Sequence, residues 1–333
     1  MTIINNMEDF LKLKNSQNIS PIKSDNFIVK KNMKAKAILF GLNYDYLIDG
    51  KLNGCINDVI LMGDYIRDVL NINTQIFTDE NSNKNDEFDN TSHDGFIINL
   101  YKLAIDSHIE PLDFVWIHYS GHGLNIFNEI THKSKQGILP SDGKYKGLLF
   151  DYIINIIISS FNKNTKILFI CDSCHSGTIA DLSYSWDENN NKISESSDSK
   201  IISKMICISG CLDNQTSADS YNLLNNNKAI GALTSTIIKL LQSKPHLIYN
   251  VFDFVRDIRY TLKNLNFTQY PQLTSSYDLI NDKSILPLEK NEDNIIKYPE
   301  TQNVINNDNV IKTQDMPRYY YYNNNKFIYK YYV

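Results

Sequence analysis

The sequence predicts an α/β fold in which a mostly parallel central sheet is sandwiched between helices. Two observations support this prediction. Short apolar runs alternate along the chain with longer segments of helical periodicity, and the apolar runs are continuous rather than alternating with polar residues. Such strands are buried on both faces, as in parallel sheets that helices cover. The 333 residues suffice for one large α/β domain with extensions, or for two smaller domains.

Residues 36–94 are predicted to contain two strands and a helix. Lys36–Leu42 is a continuous apolar run that ends near a glycine, which favours a strand buried on both faces. Cys55–Leu70 has apolar residues at helical spacing and predicts a helix, whereas Thr74–Thr78 predicts a short strand. The acidic, Asn- and Ser-rich segment Asp79–Asp94 predicts a loop.

The same alternation continues toward the C-terminus. A helix over Phe96–Ala104 precedes a strand over Phe114–Tyr119, and a helix over Asp151–Phe161 precedes a strand over Lys166–Cys171. The remaining elements are one strand and two helices, predicted at Lys204–Ser209, Ala232–Leu241 and Val251–Leu262.

Polar segments at three places set the expected domain boundaries. Residues 1–34 lack a clear period and predict a loose arm, and the Asn- and Tyr-rich residues 281–333 predict a loosely ordered tail. Residues 35–280 form the predicted domain, with a large part (35–182), a polar linker (183–203) and a small part (204–280). The linker includes Trp186–Lys200, which we expect to tolerate cleavage without damage to the core.

Composition excludes several classes of protein. A formal net charge of -5 and a pI of about 5.8 argue against a nucleic-acid partner bound by phosphate neutralisation. No apolar stretch approaches the ~20 residues of a membrane span, and the N-terminus lacks the pattern of a secretory signal. The five cysteines are irregularly spaced, so we expect reduced thiols in a soluble, intracellular, cytoplasmic protein.

Two strands end in residues with useful chemistry. One gives Tyr-Ser-Gly-His-Gly over residues 119–123, and the other gives Cys-Asp-Ser-Cys-His-Ser-Gly over residues 171–177. Functional groups collect at the carboxyl ends of parallel strands, so His122 and Cys174 are expected to lie together. A thiolate is a nucleophile that a nearby imidazole can activate, and the amides of Gly123 and Cys174 could stabilise an oxyanion.

Simpler interpretations exist for each motif. His122 alone is compatible with a buried core histidine, and Cys174 alone with a small apolar side chain. Cys171 and Cys174 also form the Cys-x-x-Cys pattern of thiol-redox sites, although Cys171 closes an apolar strand and should point into the core. A zinc site lacks its remaining ligands. The joint presence of both motifs favours a Cys–His pair.

These two motifs resemble those of metacaspases, which belong to the caspase-like clan of cysteine peptidases. The resemblance covers about residues 35–280 and extends to five further segments in the same order: Lys36–Tyr44, Leu52–Asp58, Gly137–Asp151, Ser209–Asp219 and Tyr270–Ser275. It implies a caspase-like fold in a single domain. It also implies a peptidase that acts as a monomer on protein or peptide substrates, with no nucleic-acid or membrane partner.

The resemblance implies a role for each matching residue. Cys174 is the nucleophile and His122 is the acid and base. The primary specificity pocket is implied at four positions: Cys55, Asp58, Ser120 and Asp172. Carboxylates in a partly closed pocket favour a cationic side chain, so cleavage is expected after Arg or Lys and not after Asp. Capping of a helix or loop is the alternative role for Asp58 and Asp172.

Calcium is where the sequence departs from the family. Metacaspases often bind an activating calcium through four aspartates. The matching positions here are Lys135, Asp151, Tyr152 and Asp181. Two acidic ligands remain and one position carries an opposing charge. We therefore expect that no cofactor is required, and that calcium binds weakly, at altered ligands such as Asp142, or not at all.

Lysines near the polar linker suggest self-cleavage. If the pocket prefers cations, the candidate sites are Lys192, Lys200 and Lys204; otherwise these lysines only solubilise a loop. Two alternative functions stay open at this point. One is a catalytically silent interaction protein that keeps the fold, and the other is a thiol-redox protein that uses Cys171 and Cys174.

Overall fold

The computed structural model describes residues 23–24, 27–47, 50–80, 89–128, 133–174, 179–195, 201–210, 219–221, 229–290, 321–323 and 326–328. Contacts divide the chain into two units. The larger unit comprises Met1–Gln17 with Asn32–Pro287, and the smaller comprises Asn18–Lys31 with Leu288–Val333. None of the described helices is both long enough and apolar enough to cross a membrane.

The described strands and helices are as follows. The strands are β1 (Lys23–Ser24), β2 (Phe27–Val29), β3 (Ala35–Gly41), β4 (Asn73–Thr78), β5 (Phe114–Ser120), β6 (Gly123–Asn128), β7 (Lys133–Ile138), β8 (Leu149–Phe150), β9 (Lys166–Asp172), β10 (Tyr184–Trp186), β11 (Lys192–Glu195), β12 (Lys204–Ser209), β13 (Asp219–Tyr221), β14 (Ala229–Gly231), β15 (Gln272–Ser275), β16 (Leu288–Lys290), β17 (Tyr321–Asn323) and β18 (Lys326–Ile328). The helices are α1 (Cys55–Asp68), α2 (His93–Ile109), α3 (Gly143–Lys146), α4 (Asp151–Ser159), α5 (Ala232–Ser243) and α6 (Val251–Asn264), with a short 3₁₀ helix at Pro245–Tyr249.

An eight-stranded sheet forms the centre of the larger unit. Its strand order is β11-β10-β15-β12-β9-β5-β3-β4. The pairs from β12 through β4 are parallel, whereas β15, β10 and β11 join in antiparallel fashion. Side chains of α2 and α4 pack with one face of the sheet in a common apolar cluster. Residues of α1, α5 and α6 meet the other face around Trp116 and Leu168. The predicted mostly parallel sheet between helices is confirmed.

The register of the parallel strands aligns their carboxyl ends. Gly41 of β3 pairs with Ser120 of β5, and Ser120 pairs with Asp172 of β9. Strands β5 and β9 are buried over their whole length, so a slip in register would move apolar side chains out of the core. The residues that follow these strands therefore meet at one edge of the sheet.

Several predicted boundaries were wrong. The predicted linker 183–203 contributes β10 and β11 to the sheet, and Trp186 is a core residue whose Nε1 donates to Ser275 Oγ at 2.8 Å. The predicted tail begins too early, because Ile285 and Leu286 are buried and the larger unit extends to Pro287. The predicted loose arm contains β1 and β2, which pair with each other, and β2 also pairs with β16.

An ionic cluster fixes the end of the sheet opposite to the aligned carboxyl ends. Lys166 and Lys204 are neighbours in register at the starts of β9 and β12, and each ammonium lies 3.0 Å from a carboxylate oxygen of Asp282. Burial lowers the pKa of Lys166 to about 8. Burial alone would raise the pKa of Asp282, but the two ammonium groups and Ser284 outweigh it and hold that pKa at about 2. The cluster ties residues 282–284 to the two strands.

Candidate active site

The two predicted motifs meet backbone to backbone at the carboxyl edge of the sheet. The amide of Gly121 donates to the carbonyl oxygen of Asp172 at 3.3 Å. Gly123 lies so close to Cys174 that a Cβ there would overlap the Cys174 carbonyl oxygen. The turn therefore requires glycine at position 123. His122 and Cys174 are both partly buried, and residues 175–178 lie outside the described part of the chain.

A backbone carbonyl orients the His122 ring. The Nε2 atom of His122 lies 2.5 Å from the carbonyl oxygen of Gly50. Because a carbonyl only accepts, Nε2 carries the proton, and in the neutral ring Nδ1 is then the basic nitrogen. Gly50 has a φ of +116°, a conformation that glycine adopts without steric cost. The turn at Gly50 thus sets both the direction and the tautomer of the imidazole.

Two buried tyrosines hold the His122 backbone. The His122 amide donates to the Tyr44 hydroxyl oxygen at 3.0 Å, and the Tyr119 hydroxyl donates to the His122 carbonyl at 2.7 Å. The two hydroxyl oxygens are 2.8 Å apart, and the Tyr44 hydroxyl donates to Leu139 O at 2.7 Å. Burial raises the pKa of both phenols well above the ordinary value, so both stay protonated.

The Tyr44 ring also packs against the His122 ring. The two ring centroids are 4.8 Å apart with an interplanar angle of 31°. Tyr44 adopts the left-handed backbone conformation, with φ of 56°, which a tyrosine adopts only when its surroundings impose it. The Asp79 carboxylate imposes it here, because it accepts the amides of Asn43 and Tyr44 at 3.0 and 2.6 Å.

The predicted pocket residues come together beside the two motifs. Asp58, Ser120 and Asp172 are each at most 4% exposed, and the Ser120 hydroxyl donates to Asp58 Oδ2 at 2.6 Å. Cys55 lies one helical turn before Asp58 on α1 and is also buried. Its amide donates to Asn43 Oδ1 at 3.1 Å, which anchors α1 to the end of β3.

The first turn of α5 faces both pocket carboxylates. The Gly231 amide donates to Asp58 Oδ1 at 2.7 Å, and the Thr234 amide and hydroxyl donate to Asp172 Oδ2 at 3.0 and 2.8 Å. Gly231 is the N-cap of α5 and provides no side-chain cap of its own. The two carboxylates therefore satisfy amides that the helix itself leaves without partners.

The two cysteines of the Cys-x-x-Cys pattern lie in different environments. Cys171 is fully buried in β9, with its Sγ 3.3 Å from Ser173 Oγ, whereas Cys174 is partly exposed. Within the described segments, neither of these two cysteines belongs to a disulfide. A thiol-redox site needs both sulfurs to be accessible to a partner thiol, which the burial of Cys171 opposes.

Two of the four positions that match the calcium ligands of the family, Lys135 and Tyr152, are not carboxylates. Lys135 Nζ lies 5.7 Å from the ring centroid of Tyr152. Asp151 accepts the amides of Gln136 and Tyr152, and burial together with Asp151 raises the pKa of Asp181 to about 6. No group of three or more His, Cys, Asp or Glu side chains in the described segments could hold a metal ion. Calcium requires six to eight oxygen ligands.

The alternative ligand Asp142 is engaged elsewhere. Its Oδ1 accepts the amide of His93 at 2.7 Å, next to the start of α2, and its Oδ2 lies 3.8 Å from the ammonium of Lys146. A carboxylate with these partners contributes little to a site around Asp151 and Asp181.

The order of the strands and the paired motifs at their ends place the protein in the caspase-like class of cysteine peptidases. Residues 35–183 match the family model described as "Metacaspase, peptidase C14 domain". The chain is therefore similar to metacaspases over these residues, and it is a cysteine-type endopeptidase with a caspase-like fold that acts on protein substrates.

Individual relatives agree with this assignment. Metacaspase-2 of Trypanosoma brucei brucei is 29% identical over 259 residues, which cover 72% of this chain and 73% of that protein. Metacaspase-1 of Schizosaccharomyces pombe is 27% identical over 301 residues, covering 74% and 68%. A crystal structure of a Geobacter sulfurreducens protein superposes with a TM-score of 0.53 at 19% identity, over 76% of this chain and all of the other; it is similar in fold.

Sequence reasoning missed four residues around the site, namely Tyr44, Gly50, Gly231 and Thr234. Tyr44 could have been found, because it follows directly after a strand at the same edge of the sheet as both motifs. Gly50 follows an aspartate in a turn-forming pair. Gly231 and Thr234 carry no local signal, because their partners lie far away in the sequence.

We predict that Tyr44→Phe lowers kcat for peptide hydrolysis by roughly five- to tenfold and leaves KM within about twofold. The ring remains against His122, but the hydroxyl that receives the His122 amide is lost, and a small displacement of a reacting group is costly. Steady-state kinetics measure the change, and the rate of alkylation of Cys174 by iodoacetamide should fall with kcat.

Tyr65→Phe is the matched control for this prediction. Tyr65 is buried on α1 near Trp116 and Leu168, on the opposite face of the sheet from α2 and α4. Removal of its hydroxyl should leave kcat and the alkylation rate unchanged. Equal effects of the two variants would show that Tyr44 acts only on overall stability.

Proposed function

We propose that this peptidase cleaves peptide bonds after Arg or Lys, with Cys174 as the nucleophile and His122 as the acid and base. The observation that carries the proposal is the pair of buried carboxylates, Asp58 on α1 and Asp172 at the end of β9, close to the strand ends that precede His122 and Cys174. Two carboxylates beside a thiol nucleophile suit a cationic side chain next to the scissile bond.

The proposed reaction has two halves. His122 Nδ1 accepts the proton of Cys174 Sγ, and the thiolate adds to the scissile carbonyl carbon while the amides of Gly123 and Cys174 stabilise the oxyanion. The imidazolium then protonates the leaving amine, the C–N bond breaks and a thioester forms. Water, deprotonated by His122, adds to the thioester, and collapse of this adduct returns the thiol and releases the new carboxyl group.

The Gly50 carbonyl is the third group in the proposed catalytic arrangement, beside Cys174 and His122. It keeps the Nε2 proton in place, so the nitrogen that faces away from Gly50 is the one that exchanges protons. It also stabilises the imidazolium, because a carbonyl dipole 2.5 Å from Nε2 opposes the positive charge that develops during thiolate formation.

Specificity follows from the electrostatics of the pocket. A Cβ on Gly231 would lie 2.5 Å from Asp172 Oδ2 and 2.7 Å from Asp58 Oδ2, so two carboxylate oxygens converge on one point. Two like charges in a buried site repel each other, and a guanidinium or ammonium group relieves that repulsion. The amide donors of α5 stabilise both carboxylates and leave their negative charge in place, so helix capping and cation binding are compatible roles.

We further propose that activity requires no calcium. Support comes from Lys135 and Tyr152, which offer no carboxylate at two of the four matching positions, and from the two remaining carboxylates, which are too few for that ion. The proposed enzyme acts as a monomer, with no nucleic-acid or membrane partner.

Among the candidate sites of self-cleavage, the structure favours Lys192. It lies in β11, a four-residue strand at the edge of the sheet that is exposed at every position. Lys204, by contrast, begins β12 between β9 and β15 and is bound to Asp282. Cleavage there would require a central strand to open, which costs far more than release of an edge strand. Lys200 lies outside the described residues.

The first test compares wild type with Cys174→Ala and Cys171→Ala on peptides that end in Arg, Lys or Asp, with calcium or with a chelator. We expect cleavage after Arg and Lys, none after Asp, and no effect of the chelator. Cys174→Ala should lose activity by about 10⁴-fold or more, whereas Cys171→Ala should retain it.

Other outcomes identify the alternatives. A thiol-redox protein would lose reductase activity in both variants, and a silent interaction protein would show no turnover in any. Cleavage after Asp with equal efficiency would contradict the proposed specificity.

The second prediction separates the pocket role of Asp172 from its capping role. Asp172→Asn keeps an oxygen that accepts from Thr234, so the free energy of unfolding should change by no more than about 1 kcal/mol. Because the charge is lost, kcat/KM for Arg and Lys peptides should fall by about 100-fold or more.

Asp282→Asn is the control, because it removes a half-buried carboxylate that binds Lys166 at the opposite end of β9. The variant should lower the free energy of unfolding by about 3 kcal/mol, because the buried Lys166 ammonium loses its carboxylate partner. It should leave the preference for Arg and Lys unchanged. If Asp172 served only as a cap, Asp172→Asn would leave that preference intact as well.

The third prediction concerns self-processing. Incubated wild type should yield two fragments with a new C-terminus at Lys192, measured by intact-mass spectrometry. Lys192→Ala and Cys174→Ala should stay intact at that bond, and Lys204→Ala should be cut as wild type is. A wild-type chain that stays whole during turnover of an Arg peptide would rule out required processing.

A further inference from the structure

We propose that Thr234, in the first turn of α5, is a positioning residue that sets the specificity of the peptidase by holding the Asp172 carboxylate. The inference rests on the proposed function, in which Asp172 binds the cationic side chain of the substrate. It adds a residue that lies 62 positions after Asp172 to a pocket whose other members all come earlier in the chain.

The contact between Thr234 and Asp172 is direct and twofold. Both the amide nitrogen and the hydroxyl oxygen of Thr234 donate to one atom, Asp172 Oδ2, at 3.0 and 2.8 Å. Thr234 is fully buried, so water does not compete for these donors. Two convergent donors on one oxygen fix the rotation of the carboxylate and so aim its other oxygen, Oδ1, in one direction. That oxygen lies on the side of Gly210, where a Cβ would come within 3.3 Å of it.

His118 fixes the direction of the Thr234 hydroxyl. Its Nε2 atom lies 3.3 Å from Thr234 Oγ1, and burial lowers the pKa of His118 to about 3, so the ring is neutral. Because the Thr234 hydroxyl donates to Asp172 Oδ2, its oxygen accepts from the Nε2–H group of His118. Within the described part of the chain, the His118 Nδ1 atom has no hydrogen-bond partner, consistent with a nitrogen that carries no proton. The hydrogen bonds therefore run in one direction, from His118 to Thr234 and from Thr234 to Asp172.

Asp172 needs these hydrogen-bond donors because the Asp58 carboxylate lies nearby. The Oδ2 atom of Asp58 and that of Asp172 both lie within 2.7 Å of the place that a Cβ on Gly231 would take, so two carboxylates lie close together in a buried site. Repulsion between the two turns one carboxylate away or protonates it unless donors oppose it. The amide of Gly231 holds Asp58, the amide and hydroxyl of Thr234 hold Asp172, and the N-terminal end of α5 adds a favourable dipole. Ser120 completes the set of donors on Asp58.

The test replaces the hydroxyl without changing the shape of the side chain. Thr234→Val removes one donor to Asp172, and Thr234→Ser keeps it. Thr236→Val is the matched control, because Thr236 is a buried threonine on the same helix whose hydroxyl has no partner among the described residues. Kinetics are measured with an Arg peptide across the acid limb of the pH profile, and Cys174 is alkylated in parallel with iodoacetamide, a small neutral probe that makes no use of the acidic pocket.

We expect Thr234→Val to raise KM for the Arg peptide by roughly five- to tenfold, with kcat within about twofold and an unchanged alkylation rate. The acid limb of kcat/KM should move to higher pH, because the charged carboxylate has lost a donor. Thr234→Ser and Thr236→Val should behave as wild type. If Thr234→Val does not fold, Thr234→Ala against Thr234→Ser provides the same comparison.

Two failures are distinguishable. If wild type does not cleave after Arg, the proposed function is wrong. If wild type cleaves after Arg but Thr234→Val matches Thr236→Val in KM and in pH profile, the proposed function stands and the role of Thr234 is overturned.

Discussion

The buried carboxylates of Asp58 and Asp172 are the constraint on which the rest of the site depends. One comes from α1 and the other from the end of β9, and both accept amides from the first turn of α5. A buried carboxylate without donors would be strongly destabilising. The two halves of the chain must therefore dock correctly before the pocket is complete. This requirement couples the specificity of the peptidase to the packing of the fold.

Close backbone approach is the second requirement, and glycine meets it at three places. Gly123 lies against Cys174, Gly121 against the Tyr44 and Tyr119 hydroxyls, and Gly231 against both pocket carboxylates. At each position a Cβ would take space that a partner atom already fills. The parallel register brings the strand ends into line, and these glycines close the remaining distance, so imidazole, thiol and pocket share one edge of the sheet.

The sequence predicts the parts of this arrangement that local patterns encode. Strands β5 and β9 are buried over their whole length, so their apolar runs stand out, and both motifs follow from the rule for strand ends. Strand β11 escaped prediction because it lies at the edge of the sheet and is exposed at every position, where polar residues are tolerated. Strand β10 escaped prediction because it has only three residues. The roles of Gly50 and Thr234 depend on hydrogen bonds to residues distant in the sequence, which no local pattern encodes.

The most direct measurement of the central claim is to locate a covalent label by mass spectrometry. Two peptides that differ only in the residue before an electrophilic ketone would each be incubated with the wild-type protein. That residue is Arg in one peptide and Asp in the other. We predict that the Arg probe labels Cys174 alone. The Asp probe should react with wild type no faster than it reacts with the Asp172→Asn variant. Labelling of Cys171, or equal labelling of Cys174 by both probes, would contradict this prediction.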